Sequence, residues 1–325
     1  MDSLTQIKCP IALEFDEFEK RFNLAMTHRE GLLASVLAHI NQRGGKRMRP
    51  ILTLLMAKNF GEINEVTLNA SLALELLHTA TLVHDDVVDE SDERRGQPSV
   101  NASFNNKVAV LVGDYILSTA LLHVSKTGNP LIVENLSRLG QTLASGEILQ
   151  LSNIKNNDFS EDDYYSVIHK KTASLFESCA IQGCLSVGAT AEQVEKARKF
   201  GCALGMMFQI RDDIFDYYDS REIGKPTGND MAEGKLTLPV LYALNNSNYE
   251  SMVNLAKKVK AGTINADEIA VLVEFAKQYG GIAYAEQRMK DFYDEAMVFV
   301  DECVKKADLR QSLVTYLDYV MKRNY

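Results

Sequence analysis

The chain has 325 residues, of which 46% are hydrophobic and 24% charged, and its formal net charge is −9. These proportions are ordinary for a globular protein with a sizeable core. The acidic balance excludes a general nucleic-acid binder, which would carry a basic stripe, so no nucleic-acid partner is expected.

Other features of the composition bear on location. The five cysteines are scattered without metal-finger spacing, and we predict buried, reduced thiols. The N-terminus carries acids where a signal peptide has a basic region and an apolar run. The chain contains no uninterrupted run of about 18 apolar residues, so no membrane span is predicted. A cytoplasmic location is therefore predicted.

Helical patterns dominate the chain. Only six prolines are present, and a proline inside a helix costs about 3 kcal/mol. Apolar residues recur at helical spacing within residues 66–90, and residues 200–218 are similarly apolar. Turn signals are few, and no linker or repeat divides the chain. One all-α domain over residues 1–325 is predicted.

Two segments of the form D-D-x-x-D lie inside these helical runs. The first contains Asp85, Asp86 and Asp89, and the second contains Asp212 and Asp216. Residues four apart share a helix face, where like charges repel each other. A solvated acidic face would explain either segment alone. Their repetition after apolar lead-ins indicates that something cationic lies between the carboxylates.

The ligand type predicts which cation this is. Carboxylates without nearby histidine or cysteine suit Mg²⁺, with Mn²⁺ as a possible substitute. Mg²⁺ takes one or two carboxylates and completes its shell with water and phosphate oxygens. The two segments therefore predict a diphosphate ligand. A calcium loop of the EF-hand type is disfavoured because its glycine turn is absent.

Basic residues are interleaved with the acidic segments. In GGKRMRP a glycine pair precedes Lys46, Arg47 and Arg49, and the final proline can open a helix. A basic helix-entry loop would look the same, but arginine forks match phosphate oxygens. The other basic positions are Arg94, Arg95, Lys170, Lys171 and Lys225. Acids for metals and bases for phosphates together indicate a diphosphate site.

The segments GGKRMRP, HTATLVHDDVVDESDERRG, HKKTASL and FQIRDDIFD occur in the order and at roughly the spacing of the trans-isoprenyl diphosphate synthases. The chain resembles that family over residues 44–239. The resemblance implies an all-α isoprenoid synthase helical bundle, with two aspartate-rich helices facing a central cavity, and a homodimer. It also implies a Mg²⁺-dependent prenyltransferase that joins isopentenyl diphosphate to an allylic diphosphate such as farnesyl diphosphate.

The resemblance also assigns roles to individual residues. Asp85, Asp89 and Asp212 are the leading metal ligands, and Asp86 and Asp216 are ligands or supports. The allylic diphosphate would also contact Arg94, Lys171, Thr172, Gln209 and Lys225, with Lys235 as a further contact. The isopentenyl diphosphate pocket would be Lys46, Arg49, His78 and Arg95. The catalytic set is Asp85, Asp89, Arg94, Lys171, Thr172, Gln209, Asp212 and Lys225. His84 and Arg47 receive no role.

The mechanism implied is electrostatic. Metal ions and basic side chains stabilise the diphosphate as it leaves. The double bond of isopentenyl diphosphate attacks the allylic carbocation, and a proton is lost to the departing diphosphate. Thr172 and Gln209 are nearby polar groups that can steady the cation.

Product length should depend on an apolar tunnel beneath the first acidic segment. Leu77, Ala80 and Thr81 lie one and two turns before Asp85 on the cavity side. Short-chain members of the family tend to place aromatic rings near the first of these turns, so small residues here predict an open tunnel. The helix from residue 66 to residue 85 is only about 28 Å long, so eight extended units would outrun it. A floor at residues 115–122 is expected.

Several products and functions stay open. The chain is most similar to bacterial long-chain synthases that make octaprenyl diphosphate for quinone side chains, and product release is expected to involve the membrane surface. Heptaprenyl, solanesyl, geranylgeranyl and farnesyl products are alternatives. A class I terpene cyclase would lack GGKRMRP and a second D-D-x-x-D. A non-catalytic partner subunit tends to lose an acidic segment, and a structural helical protein would not need the interleaved cations.

The tunnel hypothesis predicts the effect of a larger side chain. Ala80→Phe should shorten the main product to about three or four isoprene units, because the ring would close the tunnel one turn beneath Asp85. Mass analysis of the product gives the length. An unchanged length would contradict this account.

Overall fold

The computed structural model describes residues 2–42, 44–94, 96–155, 159–218 and 227–323. As predicted, the protein is all-α. Its helices are α1 (Ser3–Lys8), α2 (Ala12–Ala25), α3 (Gly31–Gln42), α4 (Met48–Phe60), α5 (Glu65–Val88), α6 (Val100–Phe104), α7 (Asn106–Ser125), α8 (Pro130–Lys155), α9 (Glu161–Ile168), α10 (Ser174–Ser186), α11 (Ala191–Phe215), α12 (Asn229–Ala232), α13 (Leu238–Asn245), α14 (Glu250–Lys260), α15 (Ala266–Gln278), α16 (Gly281–Cys303) and α17 (Ala307–Lys322).

Four short elements complete the described secondary structure. A 3-10 turn covers Cys9–Ile11, and a π-helical turn covers His169–Ala173 between α9 and α10. The short strands β1 (Glu93–Arg94) and β2 (Gln97–Pro98) pair antiparallel, with Glu93 opposite Pro98.

The chain forms two compact units. Unit 1 comprises Met1–Gly140, Ser178–Arg198 and Cys303–Leu313, and unit 2 comprises Gln141–Glu177, Lys199–Glu302 and Val314–Tyr325. A single functional domain over residues 1–325 stays a prediction.

Helix α5 is the central element of unit 1. It begins with a capping box, in which the Asn64 side chain accepts from the Thr67 backbone N–H and the Thr67 hydroxyl accepts from the Asn64 backbone N–H. Its apolar side chains include Leu72 and Leu76, which are fully buried, and each such burial contributes about 1.5–3 kcal/mol. This packing anchors the helix whose C-terminal end carries the first acidic segment.

Two helices in the described residues are long and apolar enough to cross a membrane. In α5, 67% of the apolar window is buried within the protein, and in α7 the buried share is 33%. Length and composition alone are weak evidence, because the core helix of a soluble protein has the same properties.

The cysteines are free thiols, as predicted, but the prediction that they are buried is correct only for Cys179 and Cys184, since Cys9 is exposed and the other two are half-buried. Burial raises the pKa of Cys179 and of Cys184 to about 12. Since the thiolate is the reactive form, these two side chains behave as small apolar core residues.

Helices α4 and α10 approach closely at Gly183. A Cβ at this position would lie 2.4 Å from the carbonyl oxygen of Thr53 and 2.8 Å from Cβ of Met56. A Cβ at Gly140, within α8, would meet no atom within 4 Å. The two glycines therefore form a matched pair of helical sites.

We expect Gly183→Ala to lower the free energy of unfolding by about 1–3 kcal/mol, because backbone atoms must move apart. Gly140→Ala should leave it unchanged or raise it by about 0.5–1 kcal/mol, because alanine favours the helix. Urea unfolding followed by circular dichroism measures both. Equal stability of the two variants would contradict the close approach.

Candidate active site

The first acidic segment lies at the C-terminal end of α5. The helix ends at Val88, yet the Asp89 N–H still donates to the Asp85 carbonyl oxygen at 2.8 Å. Asp85 is half-buried and Asp89 is exposed, so a cation can reach both. The partial negative charge of the helix end adds to that of the carboxylates. This end of α5 therefore favours a bound cation.

Asp86 has different surroundings from its two neighbours. It is fully buried, and Arg94 Nε donates to its Oδ1 at 2.5 Å. Arg94 lies in β1, and the pairing of β1 with β2 fixes its backbone. A buried carboxylate requires such a partner. The contact favours the supporting role for Asp86, while Arg95 lies outside the described residues.

A small cavity of about 50 Å³ in unit 1 is lined by the Asp86–Arg94 ion pair and by His78, which was predicted to contact isopentenyl diphosphate. Its lining also includes Arg47 and Glu75. Lys46 is exposed and Arg49 is half-buried, and neither belongs to the lining. The cavity thus contains one of the residues predicted for isopentenyl diphosphate, together with Arg94.

Arg47 is a residue of this cavity to which the sequence assigned no role. It precedes α4 in a left-handed conformation with φ 51°. Its Nη1 donates to Glu75 Oε1 at 2.7 Å, and its guanidinium lies 4.0 Å from the ring centroid of Phe22. Glu75 lies in an apolar run of α5, and a buried glutamate requires a cationic or hydrogen-bonding partner. Glu75 within this apolar run was therefore the sequence signal that could have predicted a cationic partner such as Arg47.

The second acidic segment lies at the end of α11, and its carboxylates have three different surroundings. Asp212 is half-buried and accepts from Arg323 Nη2 at 2.5 Å. Asp216 follows the helix end, and its two oxygens accept from the backbone N–H groups of Asn229 at 2.9 Å and Asp230 at 3.1 Å. Asp216 thus orders the chain entering α12, which favours its supporting role.

The contact with Arg323 was not predicted. The Arg323 guanidinium lies 3.7 Å from the ring centroid of Phe208 and donates to the Phe208 carbonyl oxygen at 2.8 Å. Burial lowers the pKa of Arg323 from its ordinary value. Arginine remains charged nonetheless. Nothing in the sequence pattern links this C-terminal residue to a segment over a hundred residues earlier.

Asp213 is the buried member of the second segment. The Tyr164 hydroxyl donates to its Oδ2 at 2.6 Å, and Gln209 Nε2 donates to its Oδ1 at 2.8 Å. Burial and the nearby Asp230 raise the pKa of Asp213 to about 8. In turn, the Thr172 hydroxyl donates to Gln209 Oε1 at 2.6 Å. These contacts form a hydrogen-bonded chain from α9 through α11 to the π-helical turn.

A larger cavity of about 230 Å³ in unit 2 contains four of the predicted substrate contacts. These are Lys171, Thr172, Gln209 and Lys235. Tyr164, Asp163, Asp213, Asp230 and Lys260 also contribute to its lining. Acidic and basic groups therefore border one cavity, but its acidic residues are Asp163, Asp213 and Asp230, and the predicted metal ligands are not part of the lining. Lys225 lies outside the described residues.

The π-helical turn presents two of these residues. Such turns insert one residue into a helix and are frequent at functional sites. Lys171 Nζ lies 2.6 Å from Glu147 Oε1 and donates to Gln150 Oε1 at 3.0 Å. A Cβ at Gly146 would lie 2.8 Å from Cβ of Lys170, so only glycine lets α8 approach this closely. The lysine is thereby held at the cavity wall.

The comparisons with known proteins identify the family of the chain. The family model described as polyprenyl synthetase matches residues 30–276. The all-trans-nonaprenyl-diphosphate synthase (geranyl-diphosphate specific) of Rhodobacter capsulatus is 35% identical, over 99% of both chains. The octaprenyl diphosphate synthase of Escherichia coli is 34% identical, over 88% of both. The crystal structure of a geranylgeranyl pyrophosphate synthase from Bacteroides thetaiotaomicron is 48% identical with a TM-score of 0.88, over 99% of this chain and 100% of that one.

The surroundings of Asp86 and Asp89 predict different effects on stability. Asp86→Asn should lower the free energy of unfolding by about 1–3 kcal/mol, because the Arg94 guanidinium loses the carboxylate that balances its charge. Asp89→Asn should change it by less than about 0.5 kcal/mol, because Asp89 is exposed. Chemical unfolding in EDTA, which removes any contribution of bound metal, compares the two. If Asp89→Asn lowered the free energy of unfolding as much as Asp86→Asn, the supporting role of Asp86 would be contradicted.

Proposed function

Since the chain belongs to the polyprenyl synthetase family, and is thus a prenyltransferase, we propose that it extends an allylic diphosphate such as farnesyl diphosphate with isopentenyl diphosphate. Octaprenyl diphosphate is the proposed main product, for use in quinone side chains. The observation that carries the proposal is the 230 Å³ cavity that gathers Lys171, Thr172, Gln209 and Lys235. A cavity bordered by lysines, amides and hydroxyls suits a diphosphate.

The family is metal-dependent, and Mg²⁺ is the proposed ion, with Mn²⁺ as a substitute. Its ligands would be Asp85, Asp89 and Asp212, with support from Asp86 and Asp216. The donor set fits, because carboxylates at exposed or half-buried helix ends are hard ligands with room for water and phosphate oxygens. When bound, the metal would neutralise the charge that develops on the leaving diphosphate.

Basic side chains have the complementary role. Lys171 and Lys235, with Arg94 and Lys225, would hold the allylic diphosphate. Lys46, Arg49, His78 and Arg95 would bind isopentenyl diphosphate. Their positive charge is local, which reconciles an anionic substrate with a chain of net charge −9.

The reaction needs no nucleophilic side chain. Cleavage of the allylic C–O bond gives a carbocation and free diphosphate. The double bond of isopentenyl diphosphate then forms the new C–C bond, and a proton leaves to the departing diphosphate. The Thr172 hydroxyl donates to Gln209 and keeps its oxygen lone pairs as acceptors. That orientation lets the hydroxyl oxygen face positive charge.

Product length rests on few side chains. Leu77 and Ala80 are buried, at 4% and 1% exposure, and Thr81 is half-buried. Their small or flexible side chains on α5 support a long product. In the proposed floor on α7, Ile116 and Ala120 are buried, whereas Tyr115 is 37% exposed. Ile116 and Ala120 are thus better candidates for a floor than Tyr115.

A geranylgeranyl product is the second candidate. It is favoured by the 48% identity to a solved structure of that name. The curated long-chain relatives support octaprenyl or nonaprenyl diphosphate. The tunnel floor, for which α7 carries the candidate residues, would decide between these products.

We further propose a homodimer in the cytoplasm. On α7, Leu111 and Leu122 are 68% and 56% exposed, and Val110, Tyr115 and Leu121 are exposed near them. A monomer rarely leaves so many apolar side chains on one helix exposed to water. A second copy of the chain would cover them. We also propose that product release involves the membrane surface.

One assay tests the enzymatic proposal. Purified protein with Mg²⁺, isopentenyl diphosphate and farnesyl diphosphate should yield a polyprenyl diphosphate of about eight units, and EDTA should abolish the activity. Asp85→Asn should lower kcat by at least about 10²-fold, because charge stabilisation of the leaving group is lost. Asp16→Asn, an exposed position on α2, is the matched control.

The outcomes are distinct. A product that ends at four units would replace octaprenyl with geranylgeranyl diphosphate and leave the chemistry intact. An absence of elongation, with no effect of EDTA, would overturn the proposed reaction.

A further inference from the structure

Three side chains of unit 2, of types that can bind a metal ion, converge at a place that the proposed reaction does not use. His169 begins the π-helical turn, Glu177 lies on α10 and Cys202 lies on α11. One ligand atom from each lies within 4.8 Å of the other two, and His169 Nε2 is 3.2 Å from Glu177 Oε1. We propose that these three residues form a site for a single Zn²⁺ ion.

The chemistry of the donors selects the ion. Imidazole nitrogen and thiolate sulfur bind zinc, whereas Mg²⁺ prefers oxygen ligands. With metal–ligand bonds of roughly 2.0–2.3 Å, ligand atoms around a tetrahedral zinc lie about 3.3–3.8 Å apart. The three side chains therefore need movements of about 1 Å or less. Three protein ligands and one water complete the coordination.

Close helix packing fixes the positions of the ligands. A Cβ at Gly201 would lie 2.6 Å from the carbonyl oxygen of Phe176 and 2.9 Å from Cα of Glu177. One turn later, a Cβ at Gly205 would lie 2.5 Å from Cα of Ala173. The glycines bring α11 against the backbone of α10 and of the π-helical turn. Cys202 is thereby held close to Glu177 by rigid elements, as a metal site requires.

Exposure and charge also suit an ion arriving from solvent. The His169 side chain is 40% exposed, and that of Glu177 is 13% exposed. Cys202 is half-buried. A carboxylate and a thiolate together balance the charge of Zn²⁺, so the occupied site would be neutral. Binding would release the thiol proton of Cys202.

The proposed zinc site is close in sequence to residues that line the 230 Å³ cavity. Lys171 and Thr172 follow His169 by two and three residues within the same π-helical turn, and both line the cavity. A bound ion would tie this turn to α10 and α11. An ion that binds only the folded state raises the unfolding temperature.

Co²⁺ is the probe for binding, because its bond to a thiolate gives a charge-transfer absorption in the near ultraviolet. The wild-type protein, held in excess Mg²⁺ so that the aspartate segments are occupied, should take up one equivalent of Co²⁺ with this absorption. Cys202→Ser should abolish it. Cys9→Ser should retain it, because Cys9 is exposed and outside the site. His169→Gln and Glu177→Gln should weaken binding by about 10-fold or more.

A thermal measurement keeps the proposal testable if Cys202→Ser folds poorly. One equivalent of Zn²⁺ in the same buffer should raise the unfolding temperature of the wild type by several degrees and leave that of His169→Gln unchanged. Absence of the thiolate absorption, or its persistence in Cys202→Ser, would overturn the proposal. Neither measurement depends on prenyltransferase activity, so failure here is distinguishable from failure of the proposed reaction.

Discussion

The burial of one carboxyl group, that of Asp213, organises the 230 Å³ cavity of unit 2. A buried carboxylate is costly unless hydrogen-bond donors surround it. Tyr164 and Gln209 are those donors, and the amide oxygen of Gln209 is left to accept from Thr172. One buried group thus fixes the orientation of an amide and of a hydroxyl at the cavity wall.

In unit 1, buried carboxylates likewise fix the positions of other side chains, here through ion pairs. Arg47 bonds to Glu75, and Arg94 bonds to Asp86. Each pair has a carboxylate on the buried side of α5 and an arginine delivered by a loop or hairpin. Removing one partner from such a pair would leave a charge buried without compensation. These pairs tie irregular chain segments, whose positions helical packing alone does not fix, to α5.

The D-D-x-x-D pattern therefore combines two kinds of aspartate. Asp85 and Asp89 are accessible at a helix end, while Asp86 and Asp213 are buried and bonded to other side chains. Asp216 is bonded to backbone N–H groups beyond its helix. Adjacent aspartates point to different sides of a helix, so a repeated motif can supply ligands and their supports together. The physical role of each carboxylate follows from its burial.

The sequence by itself determined the all-α class, the helices around the acidic segments, the glycine turn before α4 and the class of reaction. These depend on local spacing, on turn residues and on charge types, which are visible along the chain. Only the tertiary structure decided the partners. Arg323 with Asp212, Tyr164 with Asp213, and the grouping of His169 with Glu177 and Cys202 join residues on different elements. Such contacts depend on how helices pack, and helical periodicity records which face is buried but not which neighbour covers it.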